Sequence, residues 1–458
     1  MSIDWTFAMD IAVLSLLLLG GTFLKRKVGF FRKFLFPNAI IAGFIGLLLG
    51  KDFLGIIDIP EERLGTYVYH LMAVGFIALA LKERKQESIP IVVKTGAFIV
   101  SGYLLQGIIG FGLGLALLFF IPNLFPPFGL LLPLGFGQGP GQAFSIGSRW
   151  EALGFPHGGN VGLSIATIGF LWACFGGVFL LNILFGKKRD IDSSKEMVSQ
   201  TVVEYDSPGD IPLTESIDRL SIQIALIGFV YLLTYLLLKG IESLLAGAGS
   251  FGHTFAQLLW GFHFIVGSLL AILLRFVFDI LKRKKIMKRN YTNNYLLSRI
   301  SAGAFDYMIT ASIAAISISV LKEYLIPVLV VTTVGGIFTS IFVVFLGRRI
   351  YKDYWRENSV AVYGNITGTI STGLGLIREI DPLFKSHAAE NLVFGSGAGL
   401  ILGLPLLVVL SLPVYGYVNN APIYYVITMI ILISYFLLLL GFLLFSSTKN
   451  KKLVKKSL

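Results

Sequence analysis

Two long apolar runs, MDIAVLSLLLLGGTFL at 9–24 and VITMIILISYFLLLLGFLLF at 426–445, constrain this chain most. Each is near the roughly 20 residues that carry a helix across a bilayer. No water reaches the hydrocarbon core, so a spanning segment must satisfy its own peptide groups, as a helix does. Composition agrees: 14% of the residues are charged, against about 25% in soluble proteins. The chain reads as an all-α polytopic membrane protein.

The runs place eleven spans, at 5–24, 36–50, 66–81, 91–121, 158–185, 217–238, 255–281, 299–321, 323–346, 388–413 and 422–445. Two segments, 128–155 and 359–384, are too rich in glycine for a clean span and too apolar for a surface loop. The basic residues decide how to treat them. With the N-terminus outside, Lys25–Lys27, Lys82–Lys85, Lys187–Arg189, Lys282–Arg289, Arg348–Arg356 and the Lys449–Lys456 tail all fall inside. The outside keeps only Lys51, Arg63, Arg149, Lys239 and Lys322. This bias fits an N-out, C-in chain, provided that both leftover segments enter and leave on one side as re-entrant hairpins. The net charge of +12 therefore marks cytoplasmic loops, not nucleic-acid binding.

Residues 1–185 then form a first repeat of five spans and a hairpin, and 217–413 a second. The hydrophilic stretch 186–216 is a cytoplasmic linker, and 414–458 holds one extra span and a basic tail. An odd number of spans per repeat turns the second copy upside down, the layout of secondary transporters. An offset of 229 residues superposes Gly135 on Gly364, Gly139 on Gly368 and Arg149 on Arg378. The single cysteine, Cys174, excludes an intramolecular disulfide. Lys25, Arg26 and Lys27 follow the first apolar run instead of preceding it, unlike a cleavable signal peptide.

Irregular backbone at membrane depth survives only where protein buries it or water lines it. The hairpin tips, 135–142 and 364–372, would meet near the midplane from opposite sides. Their carbonyls and hydroxyls suit a hard cation such as sodium, and the returning helices point N-termini at the centre, which favours an anion. Gln142, Ser145 and Arg149 share one face of the first returning helix, and Ser371 and Arg378 one face of the second. These are the expected substrate contacts, although rim placement fits Arg378 equally well and Arg149 better. Asn365, Thr367 and Thr372 offer neutral oxygens for sodium without adding charge at depth. Asp306, the most embedded acid, is a candidate sodium ligand or proton carrier, or pairs with a polar group of another span. His70, His253 and His263 lack metal-ligand spacing. GFGLGLALLFF has no Walker lysine, and no serine sits in a hydrolase elbow, so an enzyme is not expected.

Several stretches resemble the bacterial sodium:glutamate symporter family: FPNAIIAGFIGLLLG, YHLMAVGFIALALK, GFGQGPGQAF with GFPHGGNVGLSIATIGFLWACFGG, and YWRENSVAVYGNITGTISTGLGLIREIDPLF. The resemblance covers most of the chain apart from linker and tail. It implies sodium-coupled uptake of glutamate or a related acidic amino acid or organic anion, in the bacterial cytoplasmic membrane, by a homodimer with two inverted repeats. It carries binding roles onto Gly137, Gly139, Gly141 and neighbouring Gln138, and onto Gly364, Asn365, Thr367 and Gly368. Where the family's first tip reads Gly-Gly-His-Gly-Thr-Gly, this chain has Gln138 at the histidine and Pro140 at the hydroxyl residue. A transporter of another small carboxylate, or a channel or sensor keeping the fold without coupled transport, is the alternative.

Overall fold

In the computed structural model the described residues are 4–82, 89–186, 218–245, 247, 256, 259–287, 289–381 and 386–456. The expected linker beyond Gly186, the end of the second hairpin segment at 382–384, and His253 lie outside them. The elements among the described residues are helical. In the first half they are α1 (Thr6–Lys27), α2 (Gly29–Lys33), α3 (Asn38–Leu49), α4 (Glu61–Leu81) and α5 (Ile89–Leu117). A 3-10 turn at Pro126–Leu130 and a π-helical turn at Pro133–Gln138 lead into α6 (Pro140–Glu151). Next come α7 (Gly158–Leu171), a π-helical turn at Trp172–Gly176, and α8 (Gly177–Phe185). The second half holds α9 (Arg219–Leu245), α10 (His263–Arg283), α11 (Asn294–Ala314), α12 (Ile318–Glu323) and α13 (Leu325–Ile350). It closes with α14 (Trp355–Thr367), α15 (Ile370–Arg378), α16 (Ala388–Val418) and α17 (Ile423–Lys456).

Nine of the described helices are long and apolar enough to cross a bilayer, so the chain is a polytopic helical membrane protein. Two of the eleven expected spans fall short of that measure. Helix α3 has only 12 residues. Helix α11 has 21 but includes Arg299 and Asp306, both on its exposed side, while its other side packs on α4, α3 and α1.

The helices sort into two bodies by what they touch. Helices α1, α3 and α4 pack with α9, α10 and α11. Within this body α3 lies on α11 as α10 lies on α4, and α1 touches α11 as α9 touches α4. A buried carboxylate helps hold it together. Asp10 on α1 accepts from Arg63 Nη2 at 3.1 Å and from the Tyr67 hydroxyl at 2.9 Å, both from α4, and forms an ion pair with Arg63, whose Nε is 2.6 Å away. The second body gathers α5, α7, α8, α13, α14, α15, α16 and α17 around the irregular segment 126–138. Helix α6 runs along the seam and touches α4 and α11 of the first body. A side chain at Gly141 would meet the sulfurs of Met72 and Met308 there.

Candidate functional site

Two helical paths break inside the second body. The first breaks at Gly139, whose φ of +92° is a backbone state that only glycine adopts freely. The π-helical turn ends there, and α6 begins with Pro140, whose missing N–H costs nothing at a first helical position. The second break is at Gly368 and Thr369, between α14 and α15. Thr369 caps α15, its hydroxyl accepting from Thr372 N at 3.3 Å. Gly139 and Gly368 are the pair superposed by the 229-residue offset. Helices α6 and α15 thus each start at a break, with free N–H groups and the positive end of the dipole there.

The breaks are neighbours. The π-helical turn touches α14, α5 and α7. Gly169 on α7 lies between Phe136 of the first path and the Thr367 carbonyl of the second, 2.9 Å from where a Cβ would sit. Gly137 faces the Tyr103 ring, and a Cβ on it would lie 3.2 Å from Gln106 Oε1. Gln106 on α5 is fully buried and donates through Nε2 to the Ile366 carbonyl at 2.8 Å and to Thr339 Oγ1 at 3.2 Å. A carbonyl only accepts, so these bonds fix the amide's orientation and aim Oε1 elsewhere.

Four buried polar atoms around this junction have no hydrogen-bond partner: Gln106 Oε1, Gln142 Oε1, Thr167 Oγ1 and Asn365 Nδ2. They come from α5, α6, α7 and α14. Asn365 adjoins the Tyr103 hydroxyl, yet its amide nitrogen meets no acceptor in bonding geometry. An unmet buried polar atom costs about 1–3 kcal/mol, and the four helices that carry these atoms all touch the π-helical turn. The junction is uncharged, since Asp10 is the only buried acid or base other than His263 among the described residues.

The sequence-selected residues divide accordingly. Gly139, Gln142, Asn365, Thr367, Gly368 and Thr372 lie at or within one turn of the breaks, and Gln138 closes the π-helical turn. Thr367 donates its hydroxyl to the Tyr363 carbonyl at 2.7 Å, which leaves its oxygen lone pairs free for a cation. Thr372 and Thr369 share a hydroxyl–hydroxyl bond of 3.1 Å. Gly141 is committed to the seam. Ser145 is committed to the Gly261 carbonyl at 2.8 Å. Ser371 and Arg378 share the exposed side of α15. Asp306 lies on the outward side of α11, which turns Ala304 and Met308 inward, and so stands away from the breaks. Arg149 stands at the seam, its guanidinium 5.9 Å from the Tyr69 ring centre. No group of three or more His, Cys, Asp or Glu side chains suited to a metal occurs among the described residues.

Sequence reasoning passed over Gln106, Tyr103, Thr167 and Thr339. One signal was available for the first: Gln106 is the only amide in the apolar run 91–121, and polar groups at depth are costly. Comparison of the chain with protein-family models, curated proteins and solved structures gives no match.

Proposed function

We propose that this protein is a sodium-coupled secondary symporter that imports a small carboxylate, glutamate or a related acidic amino acid or organic anion, by alternating access. The observation that carries the reading is the junction of two helix breaks lined by four unpartnered buried polar atoms. Such a junction offers both signs of partner. The α14 carbonyl end, with Thr367, Thr372 and the Asn365 side-chain oxygen, is suited to sodium, since hard cations prefer neutral and anionic oxygens. The α6 and α15 N-termini, with Gln142, are suited to a carboxylate. Broken helices whose ends serve an anion and a cation are the usual device of secondary transporters.

The reciprocal packing of α3 on α11 and α10 on α4, together with breaks at matching positions 139 and 368, supports two inverted repeats, each with a re-entrant hairpin. The division into two bodies meeting along α6 supports movement of one past the other. The expected setting is a bacterial cytoplasmic membrane, with the N-terminus outside and the protein a homodimer.

The test is uptake of radiolabelled glutamate, aspartate and citrate into proteoliposomes of purified protein. An inward sodium gradient should drive accumulation of one of them above its external concentration. If a potassium gradient of equal size drives the same uptake, or no substrate accumulates against its gradient, the symport reading fails.

A further inference from the structure

The seam between the two bodies holds an open cavity of about 320 Å³, separate from the central junction. Helix α4 lines one wall with Glu62, Thr66, Tyr69 and His70, and α6 lines the other with Ser148 and Arg149. Residues 62, 66, 69 and 70 recur at helical spacing and so share one face of α4. We propose that this cavity binds a zwitterion, its acidic group on Arg149 and its primary ammonium on Glu62.

Charge and rigidity carry the assignment. Arg149 and Glu62 line the same cavity, but among the described residues neither has an ion-pair partner, and they do not pair with each other. Opposite charges held apart across a cavity are arranged for a ligand carrying both signs. The cationic side is braced. Arg149 lies over the Tyr69 ring, and Tyr69 stacks on His263 with ring centres 3.6 Å apart. The Tyr69 hydroxyl is fixed by donation to the Trp260 carbonyl at 2.7 Å. His263 sits between the carbonyls of Trp260 and Tyr69, at 3.2 and 3.0 Å. The guanidinium is therefore backed by a stack on two helices, and its flat fork matches a carboxylate or phosphate. Glu62 is exposed in the first turn of α4 and free to meet a cation.

The dimensions suit a small molecule. A cavity of about 320 Å³ is at the small end of the range that holds small-molecule ligands. A free amino acid and the headgroup of phosphatidylethanolamine share this chemistry, and the cavity is open enough to admit either.

The experiment has one arm for each source and needs neither sodium nor transport, so it stands or falls apart from the symport reading. In the first, thermal unfolding of the purified full chain is followed with glycine and with N-acetylglycine, which lacks the ammonium. In the second, delipidated protein is titrated with phosphatidylethanolamine and with phosphatidylglycerol, and bound lipid is counted by native mass spectrometry. Glycine alone raising the unfolding midpoint assigns the site to free amino acids. Selective retention of phosphatidylethanolamine assigns it to the lipid headgroup. In either case Glu62→Gln and Arg149→Gln should each abolish the effect, while Asn365→Ala, at the central junction, retains it. Unfolding midpoints without ligand check that the exposed substitutions leave folding intact. The proposal is overturned if the acetylated or ammonium-free probe does as well as its partner, if Glu62→Gln changes nothing, or if no probe binds.

Discussion

Gln106→Leu separates a binding role for the central junction from a packing defect. Leucine is close to glutamine in volume, so the change is mainly the loss of one amide. The variant gives up the bonds to the Ile366 carbonyl and Thr339 Oγ1, each worth about 1 kcal/mol net. It also removes Oε1, a buried atom without a partner, which relieves about 1–3 kcal/mol. The buried Ile366 carbonyl loses its donor, however, and an acceptor left unmet costs about 1–3 kcal/mol, so unfolding stability should fall by about 1–3 kcal/mol. Transport should not survive so well. If Oε1 is held unpaired for a ligand, Gln106→Leu should lower sodium-driven uptake per folded molecule at least tenfold while the protein still purifies and unfolds cooperatively. The assay pairs thermal unfolding in detergent with uptake in proteoliposomes from the same preparation. Wild-type uptake by the folded variant would refute the reasoning, because the unpaired oxygen would then be a flaw in packing and not part of a site.

Thr367→Val removes a hydroxyl at nearly constant shape and should raise the sodium concentration for half-maximal uptake severalfold without loss of folded protein; an unchanged sodium dependence would remove Thr367 from the cation site. Asp10→Asn discharges a carboxylate held by Arg63 and Tyr67. It should lower unfolding stability by about 1–3 kcal/mol, less than a fully buried pair because Arg63 is partly exposed, and this can be read by denaturation in detergent. In a Cys174→Ala background, a cysteine at Asn419, between α16 and α17, should react with impermeant reagent from outside in intact cells. One at Ser193 should react only from inside, and the reverse pattern would invert the orientation.

Much of the architecture is legible in the order of residues. Runs such as 426–445 cannot avoid being helices, because a bilayer leaves their peptide groups no other partners. The breaks were legible too. Glycine at 139 and 368, with proline following the first and threonine the second, marks positions where a helix stops and another starts. Residues that act through their own backbone, such as Gly139, Gly368 and the cap Thr369, were therefore within reach of sequence reasoning.

Side chains that act from the face of an unbroken helix were not. Asp306 and Gln106 look alike in sequence, each a polar residue inside an apolar run. Packing sent Gln106 to the junction and left Asp306 exposed. The pairing of Asp10 with Arg63, and the meeting of Glu62 and Arg149 at one cavity, likewise depend on helices far apart in the chain. In a soluble protein the apolar face of a helix tells which way it points. Lipid is as apolar as the interior of the bundle, so the apolar residues of a spanning helix do not distinguish inside from outside. The sequence determined where helices form and where they break; which face of each helix meets the site was decided only when its neighbours packed against it.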